Sequence, residues 1–218
     1  MKFIKNIKRI IPAIKNYKLT KTLLTAYWNG YLYEIGWMNS FLKQKPVSLS
    51  DEPLPWVTYP FIDFLKGRLD NSLLILEYGS GNSTLFYSLQ VKRVYAVEHD
   101  MEWFNKISGL MPKNVELTYQ TLEKDGAYSR FAEKIGVPID IVIVDGRDRV
   151  NCVKHCLNSL TRRGVVVLDD SEREEYGAAI DYLLERGFRK IDFWGIAPGV
   201  FYKKCTSLFY KGENCLNV

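Results

Sequence analysis

Several features that would assign a sequence to a whole class of proteins are missing from this chain of 218 residues. No apolar run approaches the ~20 residues that a membrane-spanning helix requires. The basic N-terminus is not followed by a long apolar stretch or a small-residue cleavage site, so we expect no secretory signal. The chain also contains no internal repeat and no low-complexity tract. Its length suffices for one substantial core, and we expect a cytoplasmic protein with one main domain.

Cysteine is scarce, which argues against a disulfide-based fold. The four cysteines are too few for a disulfide framework, and we expect them to be reduced, as in most cytoplasmic proteins. Cys152, His155 and Cys156 share one predicted helix, but a second ligand pair at zinc-finger spacing is missing. We therefore expect no structural zinc.

Acidic residues are absent from the first 33 positions, which carry seven lysines and arginines. Apolar residues from Phe3 to Ile14 repeat at helical spacing with lysines between them, and Pro12 interrupts the pattern. Such a helix either contacts a membrane surface or a partner through residues 1–18, or packs on its own domain and exposes its lysines. Packing on the domain is favoured because the segment is short and broken.

The placement of the basic residues also bears on partners. A nucleic-acid enzyme more often carries its basic patch around the active site. Here the excess of positive charge lies in one terminal segment. We therefore expect no nucleic-acid partner, while a contact with the inner membrane surface and a homo-oligomer both remain open.

The periodicity of apolar residues changes near residue 72. Before it, residues 20–43 keep the helical period and are rich in aromatic side chains, and a proline-rich linker leads to a second predicted helix over residues 58–69. After it, short β-rich runs alternate with helical stretches. The predicted strands are Leu73–Tyr78, Val94–Glu98, Val115–Tyr119, Ile139–Val144, Val165–Leu168, 188–196 and 206–211, and the predicted helices between them are 82–90, 101–109, 127–135, 149–161 and 172–186.

This alternation predicts the fold class. Runs such as Ile141–Val144 are apolar on both faces, which is typical of parallel strands covered by helices. The last two predicted strands are too close in sequence for a parallel crossover and must pair antiparallel. We predict an α/β fold with a Rossmann-like doubly wound sheet, with a helical extension and linker over residues 1–57 and the main domain over residues 58–218.

In such a sheet, ligands bind at the carboxyl ends of the strands. A glycine-rich turn follows the first predicted strand, where Gly79 and Gly81 allow a ligand to approach the backbone closely. The second strand ends at Glu98, 19 residues after Gly79, where an acid can accept hydrogen bonds from both ribose hydroxyls. His99 either lines the base side of such a ligand or closes a turn. The predicted cofactor contacts are Glu77, Tyr78, Gly79, Ser80, Gly81, Asn82, Ser83, Thr84, Glu98, His99, Asp145 and Gly146.

Further carboxylates follow the fourth and fifth predicted strands. Asp145 and Asp148 follow the fourth strand, and Asp169 and Asp170 follow the fifth. Four like charges at neighbouring strand tips require compensation, either by arginines or by a divalent metal bound through oxygen. A carboxylate there can also deprotonate a substrate hydroxyl, so Asp145, Asp148 and Asp169 are candidate catalytic bases. Arg147 and Asp170 are candidate substrate contacts.

The glycine-rich turn and Glu98 resemble the cofactor site of the class I S-adenosylmethionine-dependent methyltransferases, over about residues 60–212. Glu77, Gly79 and Gly81 match the acid and the glycines of that family's first motif, and Glu98 matches the acid that holds the ribose. The resemblance implies S-adenosylmethionine as the cofactor. It also implies a seven-stranded sheet of order 3-2-1-4-5-7-6 with an antiparallel last strand.

Asp145, Asp169 and Asp170 also resemble the magnesium ligands of the catechol O-methyltransferase group, in which acids at the fourth and fifth strand tips hold the metal. Two positions depart from that pattern. Asp170 stands where the group usually has asparagine, and Asp148 stands where a lysine is expected. A magnesium site and an ion-pair network without metal therefore both remain open.

The segment Pro53–Pro60, placed before this turn, is similar to segments of bacterial methyltransferase-like proteins, some of which belong to surface-polysaccharide pathways. Its Trp56 and Tyr59 either contact the acceptor or pack in the core. We expect an O-methyltransferase that acts on a small-molecule or glycan hydroxyl. A non-catalytic member of the fold is one alternative. A nucleotide-dependent oxidoreductase is another, although it would carry a third glycine where this chain has Thr84.

Overall fold

The computed structural model describes residues 16–25 and 27–218, and its centre is one seven-stranded sheet. The strand order is β3-β2-β1-β4-β5-β7-β6, which confirms the predicted topology, and β7 runs antiparallel to both of its neighbours. In the parallel part, Tyr78 lies opposite Val144, so the carboxyl ends of β1 and β4 meet at one edge. The strands are β1 (Leu74–Tyr78), β2 (Arg93–Glu98), β3 (Val115–Tyr119), β4 (Ile139–Val144), β5 (Leu160–Asp169), β6 (Arg189–Gly195) and β7 (Lys204–Tyr210).

The described residues also contain eight α-helices and three short 3₁₀-helices. The α-helices are α1 (Tyr17–Thr25), α2 (Tyr31–Glu34), α3 (Trp37–Lys43), α4 (Tyr59–Leu65), α5 (Asn82–Ser88), α6 (Met101–Ser108), α7 (Arg149–Cys156) and α8 (Gly177–Glu185). The 3₁₀-helices are Phe131–Lys134, Leu157–Ser159 and Glu174–Tyr176.

Side chains on the two faces of the sheet enter two separate hydrophobic clusters, because successive residues of a strand point to opposite faces. On one face, Leu76 and Val142 pack with residues of α7 and α8. On the other face, Ile75 and Ile141 pack with residues of α3, α4 and α5. The continuous apolar runs of the sequence thus reflect strands that are buried on both sides.

Two helix predictions were wrong. The helix predicted over residues 20–43 is three shorter helices, because Gly30 and Gly36 interrupt it with φ values of 89° and 75°, in the region that favours glycine. A Cβ atom at Gly36 would lie 2.4 Å from the backbone nitrogen of Leu49. The helix predicted over residues 127–135 is only the 3₁₀-helix Phe131–Lys134. The amphipathic helix predicted from Phe3 to Ile14 lies outside the described residues.

The segment before the sheet is joined to the main core. Trp37 is buried in the same cluster as Ile75, and its Nε1 donates to the Val200 carbonyl at 3.0 Å. Val57 packs in that cluster as well. The domain boundary between residues 57 and 58 stays a prediction, with side chains from both sides of it in one core.

Two further features of the described residues concern the cysteines and the apolar character of the helices. All four cysteines are free and buried. Within residues 16–25 and 27–218, no helix has the length and apolar character needed to cross a membrane.

Candidate active site

The carboxyl ends of β1, β2, β4 and β5 border one cleft of about 880 Å³. Its floor contains the glycine-rich turn after β1 and the turn after β4, as the strand-tip rule predicts. The walls come from the segment before α4, from α6 and from the loop after β5. The lining includes Lys43, Gln44, Lys45, Pro46, Trp56, Glu77, Gly79, Ser80, Gly81, Asn82, Ser83, Leu85, Glu98, His99, Trp103, Lys106, Asp145, Gly146, Arg147, Arg149, Asp170 and Arg173.

The glycine-rich turn is held in place by a buried threonine. The Thr84 hydroxyl donates to Glu77 Oε2 at 2.6 Å and accepts the backbone N–H of Gly81 at 3.0 Å. Gly79 has a φ of 102°, and a Cβ atom there would lie 3.5 Å from the Cα of Gly146. Thr84 therefore fixes the turn at the position where a dinucleotide motif would have its third glycine.

Glu77 is a buried acid directly beneath this turn, with 1% of its surface exposed. Burial raises the pKa of its carboxyl to about 7, and the negative charge of Glu98 acts in the same direction. Hydrogen bonds from Ser83 and Thr84 oppose this rise in pKa. The carboxyl thus holds the turn and changes protonation state near neutral pH.

Glu98 ends β2 beside the turn and is preorganised by three hydrogen bonds. Its Oε1 accepts the backbone N–H groups of His99 and Asp100 at 2.8 and 2.9 Å. Its Oε2 accepts the Ser80 hydroxyl at 2.6 Å, which ties the β2 tip to the glycine-rich turn. Each carboxylate oxygen can accept two hydrogen bonds, so Oε2 retains capacity for a ligand hydroxyl. His99 lies beside Glu98, with its Nδ1 2.9 Å from Oε1.

The acids of β4 and β5 form an ion-pair network. Arg149 Nη2 lies 3.1 Å from Asp145 Oδ1 and 3.4 Å from Asp170 Oδ2. Arg173 pairs with the same Asp170 oxygen at 2.7 Å. Lys204 Nζ lies 2.5 Å from Asp169 Oδ2 and 2.7 Å from Asp170 Oδ1. Three basic side chains therefore balance the negative charges of the three aspartates.

Lys204 was not predicted as a site residue, because it begins a strand, whereas the predicted acids follow strands. It is the first residue of β7, and β7 runs antiparallel to β5. The start of an antiparallel strand lies at the same edge as the ends of its parallel neighbours. The predicted terminal hairpin was the signal that could have indicated this residue.

The three candidate metal ligands do not fit a magnesium ion in this arrangement. The Lys204 ammonium lies between Asp169 and Asp170, where it is already the cationic partner of both carboxylates. Burial opposes ionisation of Asp170, but Lys204 and the neighbouring arginines keep its pKa below the ordinary value. No group of three or more histidine, cysteine or acidic residues with metal-binding geometry occurs within the described part of the chain.

Several predicted site residues do not line the cleft. Tyr59 is buried in the core, as the core-packing alternative predicts. Asp148 instead joins the loop that contains Asp125 to the start of α7. Its Oδ2 accepts the backbone N–H of Asp125 and its Oδ1 accepts the Asn151 amide, both at 2.8 Å. Asp169 is buried behind Asp170 and accepts from Lys204 and Thr206. Neither Asp148 nor Asp169 therefore borders the cleft.

Two predicted cofactor contacts, Tyr78 and Thr84, support the glycine-rich turn from the core side and do not line the cleft. The Tyr78 ring is fully buried, and its hydroxyl donates to the Ser129 carbonyl at 3.0 Å. Thr84 is buried through its bonds to Glu77 and Gly81. The predicted candidates that line the cleft are Trp56, Glu77, Gly79, Ser80, Gly81, Asn82, Ser83, Glu98, His99, Asp145, Gly146, Arg147 and Asp170.

The sequence did not predict two contacts at the cleft, one made by Trp103 and one made by the segment after α3. The Trp103 indole N–H donates to the Ser80 carbonyl at 3.0 Å, so its ring covers the turn near Gly81. The Asn82 amide donates to the Pro46 carbonyl at 2.6 Å and draws the segment after α3 against the cleft. Trp56 lines the cleft and is anchored through its Nε1, which donates to the Pro198 carbonyl at 2.7 Å.

The sheet order, with its antiparallel seventh strand, and the cleft at the strand tips define the fold of the class I methyltransferases. No protein-family model and no curated protein matches the chain. Among solved structures, an rRNA methylase from Streptococcus thermophilus is 19% identical, with a TM-score of 0.51, over 69% of this chain and 93% of its own. A precorrin-6y C5,15-methyltransferase from Geobacter metallireducens is 16% identical, with a TM-score of 0.55, over 70% and 87% of the two chains.

A third structure with this fold contains a product of the cofactor. It is a protein from Streptococcus mutans, described as a methyltransferase and solved in complex with SAH. It is 18% identical, with a TM-score of 0.53, over 71% of this chain and 99% of its own. Identities this low establish the shared fold and leave the reaction and acceptor to be argued from the site.

The comparison corrects the expectation that no nucleic acid is a partner. An rRNA methylase has the same fold as this chain. The concentration of basic residues in the terminal segment was therefore not a sound reason to exclude a nucleic-acid acceptor.

Proposed function

We propose that this chain is an S-adenosylmethionine-dependent methyltransferase. The observation that carries the proposal is the preorganised Glu98 carboxylate, which lines the cleft beside the glycine-rich turn of a methyltransferase fold. Oε2 of Glu98 and the Ser80 hydroxyl are suited to the two hydroxyls of a ribose. Gly79 and Gly81 leave their backbone open to the amino-acid part of the cofactor.

The bound cofactor would supply an electrophilic methyl group on a positively charged sulfur. Both acidic and basic side chains line the cleft, and three carboxylates from strand tips are available to face that positive charge: Glu98, Asp145 and Asp170. The chain's own contribution is to orient the reactants and exclude water, which supplies a large share of the rate enhancement in transfers of this kind. The Trp103 indole and the segment after α3 narrow the opening.

We assign the role of proton acceptor to Asp145. Unlike Asp148 and Asp169, it lines the cleft, with 24% of its side chain exposed beside Arg149. Burial and the nearby charge of Asp169 raise the pKa of its carboxyl, which makes it a stronger base than an ordinary aspartate. The acceptor hydroxyl would lose its proton to Asp145 as its oxygen takes the methyl group and S-adenosylhomocysteine leaves. The proposed acceptor is a small-molecule or glycan hydroxyl.

The alternative of a nucleotide-dependent oxidoreductase is disfavoured by the topology. Its sheet would have a parallel sixth strand next to the fifth, whereas antiparallel β7 occupies that place here. Thr84 also takes the position of the third glycine and bonds Glu77.

Calorimetry with S-adenosylhomocysteine and with NAD tests the cofactor assignment. We expect the former to bind and the latter not to. Replacing Glu98 by glutamine should weaken S-adenosylhomocysteine binding by about tenfold to a hundredfold, since hydrogen bonds to a charged group contribute roughly 1.5–3 kcal/mol. Glu116→Gln is the matched control, because Glu116 lies on the adjacent β3 with an exposed side chain and should bind like the unaltered protein. Equal affinities for both variants would contradict the role of Glu98.

A second measurement tests methyl transfer and the role of Asp145. Release of S-adenosylhomocysteine is followed while small phenols, glycans and RNA are supplied in turn as acceptors. With the acceptor that supports turnover, Asp145→Asn should lower kcat by about 10²–10⁴-fold, the usual contribution of general base catalysis, with cofactor affinity little changed. Asp145→Asn turnover equal to that of the unaltered protein would refute this assignment. Cofactor binding without turnover on any acceptor would favour the non-catalytic alternative.

A further inference from the structure

Residues 17–33 expose large apolar side chains that the main domain does not cover. No residue of α1 is buried. Leu23, Leu24 and Trp28 are 60%, 61% and 60% exposed, and Tyr17 and Tyr31 are more than half exposed. We propose that this N-terminal aromatic surface, formed by Tyr17, Leu19, Leu23, Leu24, Trp28 and Tyr31, docks the protein on an anionic lipid bilayer.

The arrangement of α1 is that of a helix lying at an interface. At about 100° per residue, Tyr17, Leu19, Leu23 and Leu24 fall on one half of the helix circumference. Lys18 and Lys21 fall on the opposite half with two threonines. A helix that packed on its own domain would bury the apolar half. Here that half faces solvent.

The positive charge of the N-terminal segment indicates which partner suits this surface. The first 33 residues contain seven basic residues and no acidic one. Basic residues next to exposed tyrosine and tryptophan side chains suit an anionic bilayer, because the cations attract the headgroups while the amphipathic rings lie at headgroup level. A second copy of the chain is disfavoured as the occupant, because two such segments would repel each other.

A second pair of exposed aromatic side chains lies near the cleft. Phe41 of α3 is 43% exposed, and its ring lies 5.9 Å from that of Phe201, which is 69% exposed. Phe201 belongs to the loop that begins near Pro198, whose carbonyl accepts the Nε1 proton of the cleft residue Trp56. The inference rests on exposure and charge and holds independently of the proposed reaction.

Flotation of the full chain with lipid vesicles tests the proposal. We expect binding to vesicles of phosphatidylcholine mixed with phosphatidylglycerol, at least tenfold weaker binding to pure phosphatidylcholine, and weakening by high salt. Leu23→Ser/Leu24→Ser should lower binding to the mixed vesicles at least tenfold. The matched control is Leu89→Ser/Leu184→Ser, which alters two exposed leucines elsewhere on the surface and should bind normally.

Three results would overturn the proposal: no binding to the mixed vesicles, equal binding by both double variants, or a stable dimer that only Leu23→Ser/Leu24→Ser dissociates. The last result would identify a second copy as the occupant. Light scattering measures the oligomeric state, and circular dichroism checks that each variant is folded. S-adenosylhomocysteine affinity should be the same in both variants, so a failure of vesicle binding is distinguishable from a failure of the cofactor assignment.

Discussion

At the scale of single residues, Glu77 couples the glycine-rich turn to pH. Its carboxyl is buried, and burial raises its pKa from 4.5 to about 7. The folded protein therefore favours the protonated carboxyl more than the unfolded chain does. The favourable contribution is complete below about pH 4.5 and is lost as the pH rises through 7.

This loss of stability with rising pH leads to a prediction for Glu77→Gln, whose side chain is neutral at every pH. The stability of the variant relative to the unaltered protein should rise between pH 5 and pH 8, by about 3 kcal/mol at most. Urea unfolding without cofactor at both pH values measures the difference. Glu116→Gln, with an exposed carboxyl, should show no such change. Parallel stability curves for Glu77→Gln and the unaltered protein would show that Glu77 does not titrate in this range.

Single residues also show where sequence reasoning succeeds. Glu77, Gly79 and Glu98 were predictable because each lies at a fixed distance from an apolar run in the sequence. Lys204 and Trp103 were not, since the contact of Lys204 with Asp170 depends on strand direction and the place of Trp103 at the cleft depends on the docking of α6. The compensation of Asp169 and Asp170 by Lys204 is a contact across 34 or 35 positions that no local pattern encodes.

At the scale of elements, the strands were predicted closely and the helices less so. Four-residue apolar runs such as Ile141–Val144 are buried on both faces and leave little choice of structure. Residues 20–43 had the helical period throughout, but the backbone conformations of Gly30 and Gly36 prevailed over it. Residues 127–135 pack as a loop with a 3₁₀-helix because their contacts are with the sheet and α7 rather than along a helix.

One histidine of α7 bonds two carboxylates of that loop. His155 Nε2 lies 2.6 Å from Asp125 Oδ1, and Nδ1 lies 3.1 Å from Glu133 Oε1. The hydrogen bond from His155, and the charge of Arg130, keep the pKa of Asp125 below its ordinary value. The loop carries Tyr128, whose hydroxyl lies so close to Gly146 that a Cβ atom there would be 1.9 Å away. The loop thus supports the floor of the cleft.

We predict that His155→Gln loosens this loop, because one glutamine amide cannot bridge Asp125 and Glu133 in the geometry of the two ring nitrogens. Backbone amides of residues 123–134 should exchange with deuterium at least several-fold faster in the variant. Lys154→Gln is the control, since it alters the preceding exposed position on α7 and should leave exchange unchanged. Unchanged exchange in His155→Gln would show that backbone bonds alone hold the loop.

At the scale of the whole molecule, topology and charge distribution carry the functional argument. Antiparallel β7 separates this sheet from that of the dinucleotide-binding enzymes and brings Lys204 to the acids of the cleft. The net positive charge is concentrated in the first 33 residues, while both carboxylates and basic side chains line the cleft. The acceptor is the part of the account that neither the sequence nor the fold predicts, because proteins with this fold include both an rRNA methylase and a precorrin methyltransferase.

The central claim is that the cleft at the strand tips holds S-adenosylmethionine through Glu98 and the glycine-rich turn. A crystal structure of the complex with S-adenosylhomocysteine tests it most directly. We predict that a ribose hydroxyl lies within hydrogen-bond distance of Glu98 Oε2, with the amino-acid part of the ligand against Gly79 and Gly81. A ligand bound elsewhere, or a cleft that stays empty at saturating ligand, would contradict the claim.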